Sequence, residues 1–284
     1  MGNTQPQNKT GKKVVQQKLE NAQKTGILSL SEHHLEHCPM QIFEITKLTT
    51  LDLSKNKLNG IDPKIVNLKL LKLLNVDDNQ LGPGSLAAIS QLTKLKSLSA
   101  NKNRLGRPHP EAPKAPPLPD NLPKGLKTLL LSNNYLSNIP RPIVSKSMSL
   151  LEKLDLSHNH LASVPEEIAN LTSLSDLNLD ANAIVSLPEA MGRLSRLKTL
   201  SLKQNHISVH SNTVWNDDTN PQPLPASLFQ DTPLIDLNLH GNPMTSTQLN
   251  TMKGYDDFLE RRREVKFTGI VTGAMIDLDT CGLE

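Results

Sequence analysis

Residues 151–161 read LEKLDLSHNHL, and the same spacing of leucine and asparagine recurs along most of the chain. Upstream it appears as LTTLDLSKNKL (48–58), LKLLNVDDNQL (71–81), LKSLSANKNRL (95–105) and LKTLLLSNNYL (126–136). Downstream it returns as LSDLNLDANAI (174–184), LKTLSLKQNHI (197–207) and LIDLNLHGNPM (234–244). The shared template is LxxLxLxxNxL, and its asparagines are Asn56, Asn79, Asn103, Asn134, Asn159, Asn182, Asn205 and Asn242. They are separated by 23, 24, 31, 25, 23, 23 and 37 residues, so one structural unit is repeated in tandem with insertions at the two long steps.

The residue types follow from what such a unit must do. In each copy the LxL pair alternates inward and outward as a short strand. The asparagine carries both donors and an acceptor, so it can satisfy the backbone of the turn that follows. An amide buried without partners costs roughly 1–3 kcal/mol, so few side chains can replace it. A single unit buries too little aliphatic surface to offset the entropy of ordering it, and stacking on neighbours supplies the missing burial. The pattern is that of the leucine-rich repeat, and the fold it implies is an α/β solenoid. A parallel sheet lines its curved, concave face, irregular or short helical segments form the convex side, and helices cap the ends.

The chain divides accordingly. Residues 1–11 are expected as a flexible basic arm and 12–25 as an N-terminal capping helix, since Val15, Leu19 and Ala22 share a face and Gly26 ends it. Residues 26–245 form the solenoid of about nine repeats, with insertions at 106–125 and 208–225. Residues 246–267, with Leu249, Met252, Tyr255, Phe258 and Leu259 at helical spacing, form a C-terminal cap, and 268–284 show no pattern and are expected as a tail. The Pro-rich insertion contains PPLP (116–119), a peptide that fits a polyproline groove, yet LPDNLPKGL continues the Leu-Pro backs of neighbouring repeats and favours a structural stretch. Trp215, beside Asp217 and Asp218 in the second insertion, is expected at a loop tip.

SEHHLEHCP (31–39) has the ligand chemistry of a metal site, with His33, His34, His37 and Cys38 within six positions. Register accounts for it better. LEHCPMQI has the spacing of LASVPEEI and IVSLPEAM, which puts Cys38 in the buried apolar slot of Val164 and Leu187, while His33 falls in the asparagine slot of a degenerate first repeat. No metal and no cofactor is expected.

Composition narrows the function. The 284 residues are 36% hydrophobic and only 2% aromatic, with a net charge of +3. Few aromatics leave few stacking platforms for nucleic acid. No phosphate-binding glycine loop, nucleophile signature or HExxH metal motif is present, which argues against an enzyme and a small-molecule substrate. With two distant cysteines, no signal-peptide core and no apolar run of membrane length, the chain is expected to be cytoplasmic, peripheral on a membrane if its N-terminus is acylated.

Beyond the repeats, the start MGN, the segment AQKTG (22–26) and the end GYDDFLERRREVKF resemble small intracellular leucine-rich repeat proteins. The resemblance implies a lipid-anchored, non-enzymatic interaction protein. Gly2 is the residue that N-myristoylation requires, although Pro6 stands where the usual motif has Ser or Thr. Lys9, Lys12, Lys13 and Lys18 supply the basic second signal that a single acyl chain needs at an anionic membrane surface.

The outward strand positions carry a charge opposite to that of the whole chain. Glu32, Asp52, Asp77, Asp78, Asp155, Asp176, Asp180 and Asp236 stand against Lys55, Lys102, Lys153 and Lys203, an excess of four negative charges. This face is expected to bind a protein with a basic contact surface, and Leu130, flanked by Ser99 and Asp155, is expected to be an apolar anchor within a polar rim. The leading functional reading is a membrane-recruited scaffold or adaptor in intracellular signalling. The alternative is a regulatory subunit that inhibits or directs an enzyme such as a phosphatase.

Overall fold

A computed structural model describes residues 7–108, 115–208, 222–267 and 281–283. The chain forms two compact units, Met1–Leu130 and Leu131–Glu284. The described residues bear out the leucine-rich repeat solenoid: each unit stacks short parallel strands in chain order, with short helices on the opposite side.

In the first unit the strands are β1 (Ile27–Ser29), β2 (Thr50–Asp52), β3 (Leu73–Asn75), β4 (Ser97–Ser99) and β5 (Thr128–Leu130). The template leucines are in register, Leu28 with Leu51, Leu51 with Leu74, Leu74 with Leu98 and Leu98 with Leu129. Each of these leucines is buried, and its two strand neighbours face outward. Hydrogen bonding continues one residue past each strand, where the next inward residue donates to the following repeat: Leu30 N to Asp52 O (2.8 Å), Leu53 N to Asn75 O (2.8 Å) and Val76 N to Ser99 O (2.8 Å). The chain then turns sharply through a left-handed residue, Lys55, Asp78 or Lys102, which ends the strand. On the back, 3₁₀ helices Met40–Glu44, Pro63–Asn67 and Ala87–Gln91 bury Ile42, Ile65 and Ile89. Asp62 caps the second of these by accepting from Lys64 N at 2.8 Å, with Pro63 at its first position.

The N-terminal helix α1 spans Gln7–Thr25 rather than 12–25, so residues 7–11 are helical and not a flexible arm. Nothing after Pro6 breaks the helix: Gln7 and Lys9 are good helix formers, and the weaker Asn8, Thr10 and Gly11 are tolerated. It buries Leu19 and Ala22 and ends at Gly26, whose φ of +71° suits glycine. The PPLP segment is part of the packing. Leu118 is buried, and the Pro116 carbonyl accepts from Gly84 N at 2.9 Å, in line with its structural reading. Residues 109–114 of that insertion lie outside the described residues, as do 209–221 of the second insertion, including Trp215.

The second unit contains β6 (Lys153–Asp155), β7 (Asp176–Asn178), β8 (Thr199–Ser201) and β9 (Asp236–Asn238), again parallel with Leu154, Leu177, Leu200 and Leu237 in register. Its back carries 3₁₀ helices Lys146–Met148, Glu166–Asn170 and Glu189–Arg193, then helix α2 (Ala226–Gln230). The expected single cap at 246–267 is two helices, α3 (Ser246–Asn250) and α4 (Tyr255–Phe267). A capping box of Thr245 and Gln248 starts α3. The break comes at Gly254, where φ is +85° and a Cβ would come within 3.1 Å of Ala226 O. The turn brings Tyr255 and Phe258 against Phe229, ring centroids 5.5 and 5.9 Å away, in the few-aromatic core of this unit.

The end of the chain is not wholly a tail. Leu239 N donates to Cys281 O at 2.8 Å, continuing the ladder that Leu156 and Leu179 make to Asn178 and Ser201. Cys281 and Leu283 are buried, so the C-terminus takes the place of the strand of a further repeat and covers the edge of β9. Residues 268–280 lie outside the described residues.

Candidate partner-binding surface

The asparagines do what their chemistry promised. Asn79 Nδ2 donates to Leu53 O (3.0 Å), Val76 O (3.1 Å) and Asp77 O (3.1 Å), while its Oδ1 accepts from Leu58 N (2.9 Å). Asn56, Asn103, Asn159, Asn182 and Asn205 make the same three donations. Asn134 donates to Ser132 O, and Asn242, half-buried at the last repeat, bonds Leu202 O, Leu239 O and Ile207 N. His33 does occupy the asparagine slot: its Nδ1–H donates to Ser31 O at 2.6 Å, and its own amide bonds Asn56 Oδ1. The residue before it, Glu32, has the left-handed φ of +64° found at the equivalent residue of other repeats.

Cys38 is half-buried rather than buried, unlike Ile61, Ile139, Val164 and Leu187 in the equivalent slots. It is smaller than they are and belongs to the first repeat, which has a repeat on one side only. Desolvation, then the charge of Asp62, pushes its thiol up to about 11. Among the described residues no three of His, Cys, Asp and Glu group closely enough to hold a metal.

The outward strand positions are where the residue roles change. Asp52, Asn75, Asp155, Asn178 and Asn238 each sit between the two template leucines, and each accepts the amide two residues on. The bonds are Ser54 N to Asp52 Oδ1 (3.0 Å), Asp77 N to Asn75 Oδ1 (3.0 Å), Ser157 N to Asp155 Oδ1 (2.9 Å), Asp180 N to Asn178 Oδ1 (3.0 Å) and His240 N to Asn238 Oδ1 (3.1 Å). Where that position is serine, a carboxylate of the preceding repeat substitutes. Asp77 Oδ1 accepts from Asn101 N at 2.6 Å beside Ser99, and Asp180 Oδ1 accepts from Lys203 N at 2.8 Å beside Ser201. Four of the eight expected binding carboxylates are thus turn caps. The signal was present in the sequence: LDL, LNV, LDL, LNL and LNL place Asp or Asn at one position, and short side chains with a carbonyl oxygen are what an amide two residues on requires.

The remaining carboxylates differ in availability. Glu32 pairs with Lys55 at 2.5 Å, which lowers the carboxyl and raises the ammonium through their shared hydrogen bond and charge. Asp176 pairs with Lys153 at 2.9 Å across neighbouring strands. Asp78 is exposed and Asp236 half-buried, and neither caps a described backbone amide. Leu130 is half-buried and outward on β5, in register with Ser99. Lys13 is exposed and Lys18 half-buried on α1; Lys9 and Lys12 lie on the same helix, and Gly2 is outside the described residues.

In-register LxL strands, buried asparagine turns and an outward polar row define a leucine-rich repeat architecture. Two leucine rich repeat models match, over residues 124–184 and 47–68, and both describe a repeat rather than a catalytic domain. The chain is 30% identical over 175 residues to bovine osteomodulin (Bos taurus), covering 57% of this chain and 37% of that one. It spans about a third of the length of the curated relatives it matches. Among solved structures, an internalin from Listeria monocytogenes superposes with a TM-score of 0.59 at 22% identity, over 84% of this chain and 62% of that one. The plant peptide hormone receptor RGFR1, solved in complex with RGF2, gives 0.55 at 28% identity, over 77% and 31%.

Proposed function

We propose that this is a non-enzymatic scaffold that binds a protein partner on its outward strand face and is held at the cytoplasmic side of a membrane by a myristoylated Gly2 and the lysines of α1. The observation that carries it is the outward row within each unit: strand residues in fixed register, rigidly spaced by the buried ladders, with Asp78 and the apolar Leu130 left for contacts in the first unit and Asp236 in the second. A surface so pre-organised binds without a large ordering cost. Two further likenesses support the reading. RGFR1, a plant peptide hormone receptor among the structural neighbours, was solved in complex with RGF2, and by our reading the segments MGN, AQKTG and GYDDFLERRREVKF resemble those of small intracellular leucine-rich repeat proteins. The excess of carboxylates on this face favours a basic contact surface on the partner, which speeds encounter more than it deepens affinity.

Proximity labelling from the native N-terminus identifies partners, and a variant carrying Asp78→Asn, Leu130→Ala and Asp236→Asn should lose them while unfolding at the wild-type denaturant midpoint. Unchanged capture by this variant refutes the strand-face assignment. Alkyne-myristate labelling that is equal in wild type and Gly2→Ala, or absent from both, refutes the lipid anchor.

A further inference from the structure

We propose that the edge of the first unit at which strands β2 to β5 begin is a binding surface for an anionic lipid bilayer, independent of any acyl chain. The loops entering these strands read TKLT (46–49), KLLK (69–72), TKLK (93–96) and KGLK (124–127), with no Asp or Glu among them. Lys47, Lys69, Lys72, Lys94, Lys96 and Lys124 are all exposed. Lys24, exposed in the last turn of α1, holds on the first rung the place that Lys47 and Lys94 hold on theirs, two residues before the stacked backbone position.

The backbone fixes these lysines in a row. Thr49 N donates to Gly26 O, Lys72 N to Thr49 O, Lys96 N to Lys72 O and Lys127 N to Lys96 O, each at 2.8 Å. Lys72 and Lys96 are therefore on adjacent rungs, which parallel strands space about 4.8 Å apart. Like charges set side by side across strands destabilise a sheet. Glu44, at the end of the 3₁₀ helix preceding the first of these loops, is the carboxylate nearest in sequence to Lys47. The corresponding loops of the second unit, SLLE (149–152), TSLS (172–175), SRLK (195–198) and TPLI (232–235), are mixed in charge and mostly neutral. The lysine row thus belongs to the first unit and is not a demand of the repeat.

Apolar neighbours select the kind of polyanion. Leu70, between Lys69 and Lys72, is 37% exposed; Leu73 and Ile27, the first residues of β3 and β1, are 39% and 58% exposed. Ammonium groups flanking exposed aliphatic side chains match a phospholipid surface, where phosphates meet the amines and the leucines enter the interface. Nucleic acid fits less well, since Phe43 is the one aromatic residue among the first 130 and is buried.

The test uses the full chain without lipid modification and vesicles of phosphatidylcholine, alone or mixed with phosphatidylserine, in co-sedimentation at low and at physiological salt. The wild type should bind only the mixed vesicles, more weakly at higher salt. The variant K69Q/K72Q/K94Q/K96Q should lose affinity by about fivefold per lysine, several hundredfold in all. The variant K57Q/K64Q/K146Q/K253Q removes the same charge from exposed lysines elsewhere and should bind nearly as wild type. Leu70→Ser should weaken vesicle binding without changing retention on a soluble polyanion such as heparin. Absence of binding to mixed vesicles at low salt, an equal loss in both lysine variants, or a preference for duplex DNA over mixed vesicles overturns the proposal. Because the chain is unacylated, failure here leaves the Gly2 anchor and the partner face standing, and failure of either of those leaves this result intact.

Discussion

Replacing Asn159 with alanine tests the reasoning on which the fold rests. The side chain is 4% exposed; its Nδ2 donates to Leu131 O (3.0 Å), Leu156 O (2.9 Å) and Ser157 O (3.1 Å), and its Oδ1 accepts from both Asn134 N and Leu136 N at 3.0 Å. Alanine fits sterically but leaves those two amides without their acceptor in a buried turn. At about 1–3 kcal/mol for each unsatisfied buried group, the loss is about 2–6 kcal/mol, a large part of the stability of an ordinary domain. Asn242 supplies the internal comparison. It is half-buried, accepts only the Ile207 amide among the described bonds and has water as a substitute partner, so Asn242→Ala should cost about 1 kcal/mol. Urea unfolding followed by far-ultraviolet circular dichroism reads both. With a slope of about 2–3 kcal/mol/M, Asn159→Ala should lower the midpoint by about 0.7–3 M. A midpoint within about 0.2 M of wild type for Asn159→Ala, or an equal or larger shift for Asn242→Ala, refutes the view that buried amide satisfaction governs the repeat.

Asp155→Ala should lower stability by about 1 kcal/mol because Ser157 N loses its acceptor, while Asp155→Asn keeps the acceptor and should lie within about 0.5 kcal/mol of wild type; parallel urea titrations distinguish them. Cys38, with its thiol raised to about 11, should react with iodoacetamide at pH 8 about a hundredfold more slowly than a free thiol. Since the folded value lies above the ordinary one of 9.0, the thiol's contribution to stability is complete below about pH 9 and lost as pH rises through about 11; thermal melts of wild type, but not of Cys38→Ser, should show that component. Deleting residues 281–284 leaves the Leu239 amide unpaired and uncovers the edge of β9, so the truncated chain should melt at lower temperature and self-associate in sedimentation velocity.

Glu32 and Asp180 show how far the local pattern reaches and where it stops. Both fall at strand-face positions by counting, yet Glu32 is paired with Lys55, whereas Asp180 holds the Lys203 amide because Ser201 cannot. Counting gave the face and its excess of carboxylate, and only the hydrogen bonds separated the turn caps from the groups left for a partner. Replacing Asp155 or Asp180 with a side chain that cannot hold the Ser157 or Lys203 amide would therefore damage the turn and mimic a binding defect.

The repeat register, the identity and burial of the asparagines, the parallel order of the strands and the place of His33 were determined by the sequence itself. Each repeat meets a near-copy of itself on the next rung, so the same constraint is written many times over. Tertiary structure decided what happens once only. The start of α1 at Gln7, the break of the C-terminal cap at Gly254, the half-burial of Cys38 and the return of Cys281 onto β9 depend on single contacts between dissimilar segments, and a contact made once leaves no period to read. The alignment of lysines from loops about 23 residues apart into one row belongs to both: the residues were in the sequence, and the ladder of backbone bonds made them neighbours.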